Sequence, residues 1–339
     1  MTTDNTERCT VDLDCERTIT LAPKATREHL NQQQLADYRQ YRREFLRWLR
    51  TRGKNPEKYE PYSDYTAYES AYRCARYDAW VWDHESRYTA PPRPEHATEY
   101  IKNTVAYRDV STATKGKTEE ALARYHSWCS QERNGEEWDH DQIFDSSGSD
   151  APRDFLTRDE RRQLREAALA TGNWREASII TTCLDAALRP VEVRRASTQW
   201  VDIDNELLRI PREESSKNER DWRTSLTQRS AHALDEWMDV RDETEKYDGT
   251  DALWLTRVNT RYCSRSLARL VRRLAEEAGI DPAGRTLTGY SLRHSTGTYM
   301  TEERDLAATK AQLRHKSPKT TLKYDQVPPE QRRGALRDI

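Results

Sequence analysis

The chain has 339 residues, of which 34% are charged, and its formal net charge at pH 7 is -2. This length predicts two domains, each large enough to bury its own core. No stretch approaches the roughly 18 consecutive apolar residues of a membrane-spanning helix, no secretory leader pattern opens the chain, and the six scattered cysteines form no C-x-x-C pair. We therefore expect a cytoplasmic protein without membrane association, a disulfide framework or a zinc site.

The first part of the chain predicts a small helical domain. Residues 1–25 lack sustained periodicity and are expected to form a disordered tail. From Thr26, apolar and aromatic residues recur at helical spacing, and the first run ends at Gly53 and Pro56. Similar runs follow at about 64–85, 95–107 and 114–132. Four helices without a strand pattern predict a helical domain over residues 26–133, in which aromatic stripes are typical of a core.

A second domain is predicted after a linker. Residues 134–156 are rich in Gly, Ser, Asp and Pro, which indicates a linker, and the second domain is expected over 157–326 with a tail at 327–339. Thr157 and Glu160 predict a reciprocal helix cap. A buried helix follows at 173–188.

The pieces QWVDID and ELLRIP, joined at Asp204-Asn205, then predict a hairpin. WRTSLT and ALWLT predict further short strands, and residues 263–278 predict another helix. The expected fold class is mainly α with a small antiparallel β-sheet.

The small net charge hides an uneven distribution. Residues 1–150 carry 22 basic and 27 acidic side chains, whereas residues 151–339 carry 34 and 31. The segment from Arg257 to Tyr324 alone has 14 Lys and Arg against 6 Asp and Glu. Such a basic segment predicts an anionic partner, with nucleic acid as the first hypothesis and a solvated charged face as the alternative.

Four polar segments of the second domain carry the functional prediction: R-P-V-E at 189–192, S-K-N at 216–218, Y-S-L-R-H at 290–294 and L-R-H-K-S-P-K-T-T-L-K-Y at 313–324. Each alone fits an ordinary structural role, such as a capped helix junction, an exposed hairpin lysine or a packing tyrosine. Their order and spacing together resemble the tyrosine recombinase (phage integrase) family, in particular its Xer-like and archaeal-type integrases. That family has R-x-x-E, a hairpin lysine, H-x-L-R-H, L-G-H and then T-T before a nucleophilic tyrosine. The resemblance covers about residues 26–326, because the helical first domain looks like the family's core-binding (SAM-like) domain.

The chain departs from the family pattern at two positions. Tyr290 stands where the family has the first His of its H-x-L-R-H box, and Arg314 stands where it has the Gly of its L-G-H box. A tyrosine can donate a hydrogen bond to a phosphate oxygen, but it does not exchange a proton near neutral pH. Arg314 is expected either to contact a phosphate or to face solvent.

The resemblance implies a role for each matching residue. The implied catalytic residues are Arg189, Lys217, Tyr290, Arg293, His315 and Tyr324, the supporting residues are Glu192 and His294, and the DNA-contacting residues are Arg314, Lys316, Lys319 and Lys323. Two guanidiniums and an imidazole can neutralise the charge that develops on a phosphate under attack. Tyr324 would attack to give a 3′-phosphotyrosyl intermediate, and Lys217 would protonate the leaving 5′ oxygen. No carboxylate cluster of a two-metal nuclease is visible, so we expect neither a metal nor another cofactor.

The sequence therefore predicts a site-specific DNA recombinase or integrase of a mobile element. The expected partners are double-stranded DNA, three further copies of the chain in a homotetramer on paired sites, and accessory DNA-bending proteins, with the protein associated with the nucleoid. Three alternatives remain open at this point: a type IB topoisomerase-like enzyme, a DNA-binding member of the fold that has lost catalysis, and a helical scaffold with no nucleic-acid role.

Overall fold

The computed structural model describes residues 10–13, 17–146, 154–215 and 220–322, except for the side chains of residues 318 and 319. The chain divides into two compact units, Met1–Ser149 and Asp150–Ile339. This division lies within the predicted linker.

The first unit consists of a short hairpin followed by helices. Its elements are β1 (Thr10–Asp12), β2 (Thr18–Thr20), α1 (Lys24–Arg27), α2 (Gln32–Thr51), α3 (Asp64–Glu85), α4 (Pro94–Tyr100), a π-helical turn (Ile101–Val105) and α5 (Thr112–Glu132). Asn31, Ser63 and Ser111 begin the three long helices by accepting hydrogen bonds from the backbone N–H groups of the first turn. The helices lie close to the predicted runs, although the third run changes from α to π geometry after Tyr100.

A polar cluster lies inside the aromatic core of the first unit. The Asp78 carboxylate accepts hydrogen bonds from the hydroxyls of Tyr38, at 2.6 Å, and Tyr125, at 2.9 Å. Arg42 is completely buried beside it, donates to the carbonyl of Ala71 at 2.6 Å and lies over the Tyr38 ring. These groups join α2, α3 and α5 through a carboxylate that is shielded from water.

The prediction of a disordered tail is wrong for residues 10–13 and 17–25, which the structure describes. β1 pairs with β2 in an antiparallel hairpin, and Ile19 and Leu21 are completely buried in the first unit's core. Strands of three residues are too short to show an alternating pattern in the sequence. The hairpin is held in place by the burial of Ile19 and Leu21.

Residues 134–146 of the predicted linker also pack into the first unit. Trp138 is buried and its indole donates to the Thr98 hydroxyl at 3.0 Å. The backbone N–H groups of Ile143 and Phe144 both donate to the Glu119 carboxylate, at 2.8 and 2.9 Å. A buried carboxylate and one buried tryptophan therefore order a segment whose composition is typical of a loop.

The described residues of the second unit are mainly helical and include one small sheet. Its elements are α6 (Arg158–Ala170), α7 (Trp174–Ala186), α8 (Pro190–Arg195), a 3-10 turn (Thr198–Trp200), β3 (Val201–Asp202), β4 (Leu207–Ile210), β5 (Trp222–Ser225), α9 (Gln228–Asp242), a 3-10 turn (Glu245–Tyr247), α10 (Ser264–Glu277), α11 (Gly289–Glu303), α12 (Leu306–Leu313) and α13 (Pro318–Thr321). The strands form an antiparallel sheet in the order β3–β4–β5. This mainly helical fold with a small antiparallel sheet confirms the predicted fold class.

α7 is the central helix of the second unit. It packs against α6, α9 and α11, and Ile179, Ile180 and Leu184 on it are completely buried. The predicted cap of α6 is confirmed, because Thr157 accepts from the Glu160 backbone N–H while the Glu160 carboxylate accepts from the Thr157 N–H. The prediction of a strand at ALWLT is wrong: residues 252–255 form only isolated bridges to neighbouring segments. Among the residues that the structure describes, no helix is long and apolar enough to cross a membrane.

Candidate active site

The site is built around the C-terminal end of α7. A helix leaves its last four carbonyls without partners inside the helix, and these carbonyls attract positive charge. Here the carbonyls of residues 184–187 accept hydrogen bonds from side chains that come from later in the chain: Thr296, Gln312, Arg314 and Arg293. The segments around 293 and 314, which lie more than a hundred residues away in sequence, are therefore held at one helix end.

Arg189 and Glu192 form a reciprocal pair at the start of α8. Pro190 occupies the first position of this helix, where no backbone N–H is needed. The Arg189 guanidinium donates to one carboxylate oxygen of Glu192 at 2.9 Å, and the Arg189 backbone N–H donates to the other at 2.8 Å. The Arg189 side chain keeps 14% of its surface exposed, whereas Glu192 is buried. The R-P-V-E segment thus fixes an arginine whose side chain keeps limited access to solvent.

The Glu192 carboxyl is held in its charged form. Burial alone would raise its pKa, but three surrounding arginines, Arg314 foremost, hold this pKa well below its usual range. The carboxylate is therefore a permanent negative charge among positive ones at neutral pH.

Arg293 reaches the same place from α11. It is only 2% exposed, and its two terminal nitrogens donate to the carbonyls of Ala187 and Leu313. α11 approaches α8 and α10 closely because it begins at Gly289: a Cβ there would lie 2.6 Å from a methyl carbon of Leu267 and 3.6 Å from Pro190. The absence of a side chain at Gly289 thus allows the Y-S-L-R-H segment to approach the start of α8.

His315 completes the group. It is buried directly after α12, with its Nε2 atom 3.1 Å from the Arg293 guanidinium and its Nδ1 atom 3.0 Å from the Thr321 hydroxyl. A guanidinium only donates hydrogen bonds, so Nε2 accepts and the neutral ring carries its proton on Nδ1. Three predicted site residues, Arg189, Arg293 and His315, therefore converge on the turn at 313–315.

The sequence profile of the phage integrase family matches residues 154–331, which is more than half of the chain. The chain belongs to the phage integrase family. No curated protein sequence matches it.

Solved structures of recombinases share the fold of this phage integrase family member. XerH site-specific recombinase bound to difH substrate in a pre-cleavage complex is 16% identical, with 88% of this chain and 87% of that chain covered and a TM-score of 0.61. A lambda integrase dimer bound to a COC′ core site is 12% identical, with 84% and 77% covered and a TM-score of 0.56. Tn1549 transposon integrase in complex with circular intermediate DNA is 14% identical, with 77% and 90% covered and a TM-score of 0.54. At these identities the likeness shows a common fold.

Two other predicted residues of this integrase-family chain lie on the accessible side of α11. Tyr290 is 47% exposed, and its ring stacks on the half-buried imidazole of His294 with the ring centres 6.0 Å apart. Positions i and i+4 share one face of a helix, whereas Arg293 points inward. Tyr290 is thus accessible to a large ligand without rearrangement.

The prediction for Arg314 is wrong. Its side chain has no exposed surface and donates to protein acceptors only, so it neither faces solvent nor lies where DNA could contact it. The nearby Lys316, by contrast, is exposed.

The remaining predicted site residues lie outside the residues that the structure describes. These are Lys217, Lys323 and Tyr324, together with the side chain of Lys319.

The sequence interpretation missed a basic stripe on α10. Arg265, Arg269 and Arg272 are exposed at spacing i, i+4, i+7, and within the described residues none of them forms an ion pair. The neighbouring Arg273 differs, because it pairs with Glu176 and Glu277. The signal was present in the sequence as basic residues at helical spacing on the face opposite the apolar one.

Proposed function

We propose that this phage integrase family member is a site-specific DNA recombinase or integrase that cleaves and rejoins DNA strands through a 3′-phosphotyrosyl intermediate. The observation that carries the proposal is the convergence of the Arg189 and Arg293 guanidiniums and the His315 imidazole on one turn. A phosphodiester gains negative charge when a nucleophile attacks it, and positioned cations stabilise that charge. Arginines suit this task because they are permanently charged and can hold two phosphate oxygens at once.

The three groups differ in how they would meet a phosphate. Arg189 keeps part of its side chain exposed and would meet the phosphate there. Both terminal nitrogens of Arg293 donate to backbone carbonyls, so the phosphate would replace one of these acceptors. The Nε2 atom of His315 accepts a hydrogen bond in the DNA-free chain, so the ring would act as a donor to phosphate after it gains a second proton. The exposed hydroxyl of Tyr290 is a further donor, in place of the family's histidine.

The proposed covalent step uses two residues that the structure does not describe. Tyr324 releases its hydroxyl proton to solvent and its phenolate oxygen attacks the phosphorus, the bond from phosphorus to the 5′ oxygen breaks, and the phosphotyrosine stays on the 3′ side. Lys217 gives a proton to the departing 5′ oxygen. In the return step a 5′ hydroxyl attacks the phosphotyrosine and Tyr324 leaves, so the bond is restored without an external energy source. Glu192 supports Arg189, and His294 positions Tyr290.

The proposed partner is double-stranded DNA, bound by a homotetramer on paired sites, with DNA-bending accessory proteins. Two observations support DNA as the partner: solved structures that share the fold are of recombinases in complex with DNA, and α10 carries its exposed basic stripe. Arg265, Arg269 and Arg272 would contact phosphates or base edges, and Lys316, Lys319 and Lys323 would contact phosphates near the cleavage point.

The test is formation of a covalent protein–DNA adduct, detected on a denaturing gel. A binding site is first selected with the full chain from a pool of random duplexes, and the selected duplex is then nicked to trap the adduct. Wild type is expected to form the adduct, and Tyr324→Phe, which loses one oxygen, is expected to bind equally well and form none. An adduct with Tyr324→Phe would show that another residue is the nucleophile.

A substrate with sulfur in place of the bridging 5′ oxygen separates the roles of Lys217 and Tyr324. Sulfur leaves without protonation, so this substrate should recover much of the cleavage lost in Lys217→Ala and none of that lost in Tyr324→Phe. Equal losses on both substrates for Lys217→Ala would contradict its role as the acid. If wild type forms no adduct on a duplex that it binds, the chain is a DNA-binding member of the fold without catalysis.

A further inference from the structure

Arg314 occupies a backbone position that favours glycine. It ends α12 in the left-handed conformation, with φ 56° and ψ 50°. Glycine adopts this conformation without steric cost, and the family's L-G-H box has glycine at the matching position. A long charged side chain at this place therefore requires compensating interactions.

The Arg314 side chain turns inward and finds four acceptors. One terminal nitrogen donates to the carbonyls of Ala186, at 2.6 Å, and Gln312, at 2.8 Å. The other donates to the carbonyl of Ala187 at 2.9 Å and to the Glu192 carboxylate at 2.7 Å. The side chain thus closes the end of α7 and at the same time pairs with the carboxylate that holds Arg189.

Arg314 changes the charge balance of the site. Three guanidiniums, those of Arg189, Arg293 and Arg314, surround one carboxylate, Glu192, which leaves a balance of two positive charges. With an uncharged residue at position 314, the site would have a balance of one positive charge. Arg314 is also the foremost of the three arginines that lower the pKa of Glu192, so Glu192 does not neutralise Arg189 alone.

The hydrogen bonds of Arg189 also show that Glu192 is shared between Arg189 and Arg314. Within the described residues, its side chain donates one hydrogen bond to Glu192, through Nη1 at 2.9 Å, and a longer one to the Arg314 carbonyl, through Nη2 at 3.3 Å. The second Glu192 oxygen, which a bidentate pair would use, is taken by Arg314 and by the Arg189 backbone.

We propose that Arg314 is a positioning residue for phosphate binding: by occupying one oxygen of Glu192, it leaves the partly exposed Arg189 incompletely neutralised and able to bind the scissile phosphate. Arg314 itself does not touch the phosphate. That the bound group is a scissile DNA phosphate rests on the proposed function. The inference itself adds Arg314, a third and buried arginine, to the residues that prepare the phosphate-binding site.

The experiment compares a variant that lowers the charge balance with a double variant that restores it. Arg314→Met lowers the balance by one, and the double variant Glu192→Gln with Arg314→Met restores it by removing both charges. Arg241→Met is the matched control, because Arg241 is also a buried arginine of the second unit that donates to carbonyls, those of Thr250 and Ala252. If Arg314→Met does not fold, Arg314→Gln, which keeps hydrogen-bond donors, replaces it in both the single and the double variant.

Two readouts are made on the full chain. The first is the rise in Tm caused by millimolar inorganic phosphate, which reports anion binding without catalysis. The second is the single-turnover rate of adduct formation on the selected duplex at saturating protein. We expect Arg314→Met to lose most of the phosphate-induced rise and to cleave about tenfold or more slowly. The double variant should recover both properties relative to Arg314→Met, and Arg241→Met should match wild type in both.

The outcomes separate the role of Arg314 from the proposed function. If wild type forms the adduct but the double variant recovers neither property, Arg314 acts by packing alone and the inference is overturned. Wild-type behaviour of Arg314→Met in both readouts would overturn it equally. If phosphate responses follow the charge balance but wild type forms no adduct, the inference stands and strand cleavage fails. If wild type shows neither response, both are overturned.

Discussion

The buried Asp78 carboxyl of the first unit predicts an unusual dependence of stability on pH. Burial raises the pKa of Asp78 from 3.8 to about 6, although the hydroxyls of Tyr38 and Tyr125 and the charge of Arg42 all favour the ionised form. A pKa that is higher in the folded state means that the fold prefers the neutral acid. The stabilisation is complete below about pH 4 and is lost as the pH rises through about 6.

The size of the effect follows from the shift. A change of about two pKa units is worth about 3 kcal/mol in total, of which about 2.5 kcal/mol falls between about pH 4 and about pH 7.5. The free energy of unfolding of wild type minus that of Asp78→Asn should therefore decrease by about 2.5 kcal/mol over this range, because asparagine does not titrate. Taking the difference removes the contributions of other carboxyls, such as Glu192, whose lowered pKa acts in the opposite direction.

Unfolding of the first unit can be followed separately from that of the second. Cys74 and Cys129 are buried in the first unit, so a thiol reagent reaches them when this unit unfolds. The protein is exposed briefly to the reagent at each urea concentration, and mass spectrometry then measures the fraction of each cysteine that is modified. A difference between the two proteins that stays constant from pH 4 to 7.5, or that increases with pH, would refute the assignment of a raised pKa to Asp78.

Three further predictions concern the second unit. Affinity for the selected duplex should fall steeply as the salt concentration rises, because bound arginines displace counterions from the DNA. Arg269→Gln should reduce the magnitude of the slope of log affinity against log salt by about one, whereas Arg229→Gln, which changes an exposed arginine on α9, should leave the slope unchanged. An affinity independent of salt would contradict a phosphate contact. Tyr290→Phe should slow adduct formation about tenfold to a hundredfold while Tyr290→His keeps or raises it, and equal rates for wild type and the Phe variant would show that the hydroxyl takes no part. Gly289→Ala should cost about 1–3 kcal/mol in thermal denaturation because its Cβ would meet the buried Leu267 side chain, and an unchanged Tm would mean that Leu267 can move aside.

The sequence predicted those features that depend on local pattern. α3 and α5 were visible as aromatic and apolar residues at helical spacing, and the reciprocal cap of Thr157 and Glu160 was visible as a pair of residue types three positions apart. Arg189, Arg293 and His315 were identified by their order in the chain, and the structure brings them to one turn.

The features that the sequence did not predict depend on packing between distant segments. Arg314 lies among lysines and threonines, so nothing local indicates that its side chain points inward; the acceptors that bury it are the carbonyls at the end of α7, almost 130 residues away. The β1–β2 hairpin is ordered by the burial of Ile19 and Leu21 rather than by strand propensity. In both places a tertiary contact determines the conformation, and no short-range pattern records it.

The arginines that close the end of α7 have a consequence for how such a sequence diverges. Arg293 and Arg314 satisfy carbonyls that would otherwise be buried without partners, so their loss would cost folding energy whether or not the chain cuts DNA. Natural selection for a folded protein is therefore sufficient to retain them in a lineage that has ceased to recombine. Lys217 and Tyr324, which the proposed chemistry assigns to proton and strand transfer, are the positions at which relatives that keep recombining should differ from those that have stopped.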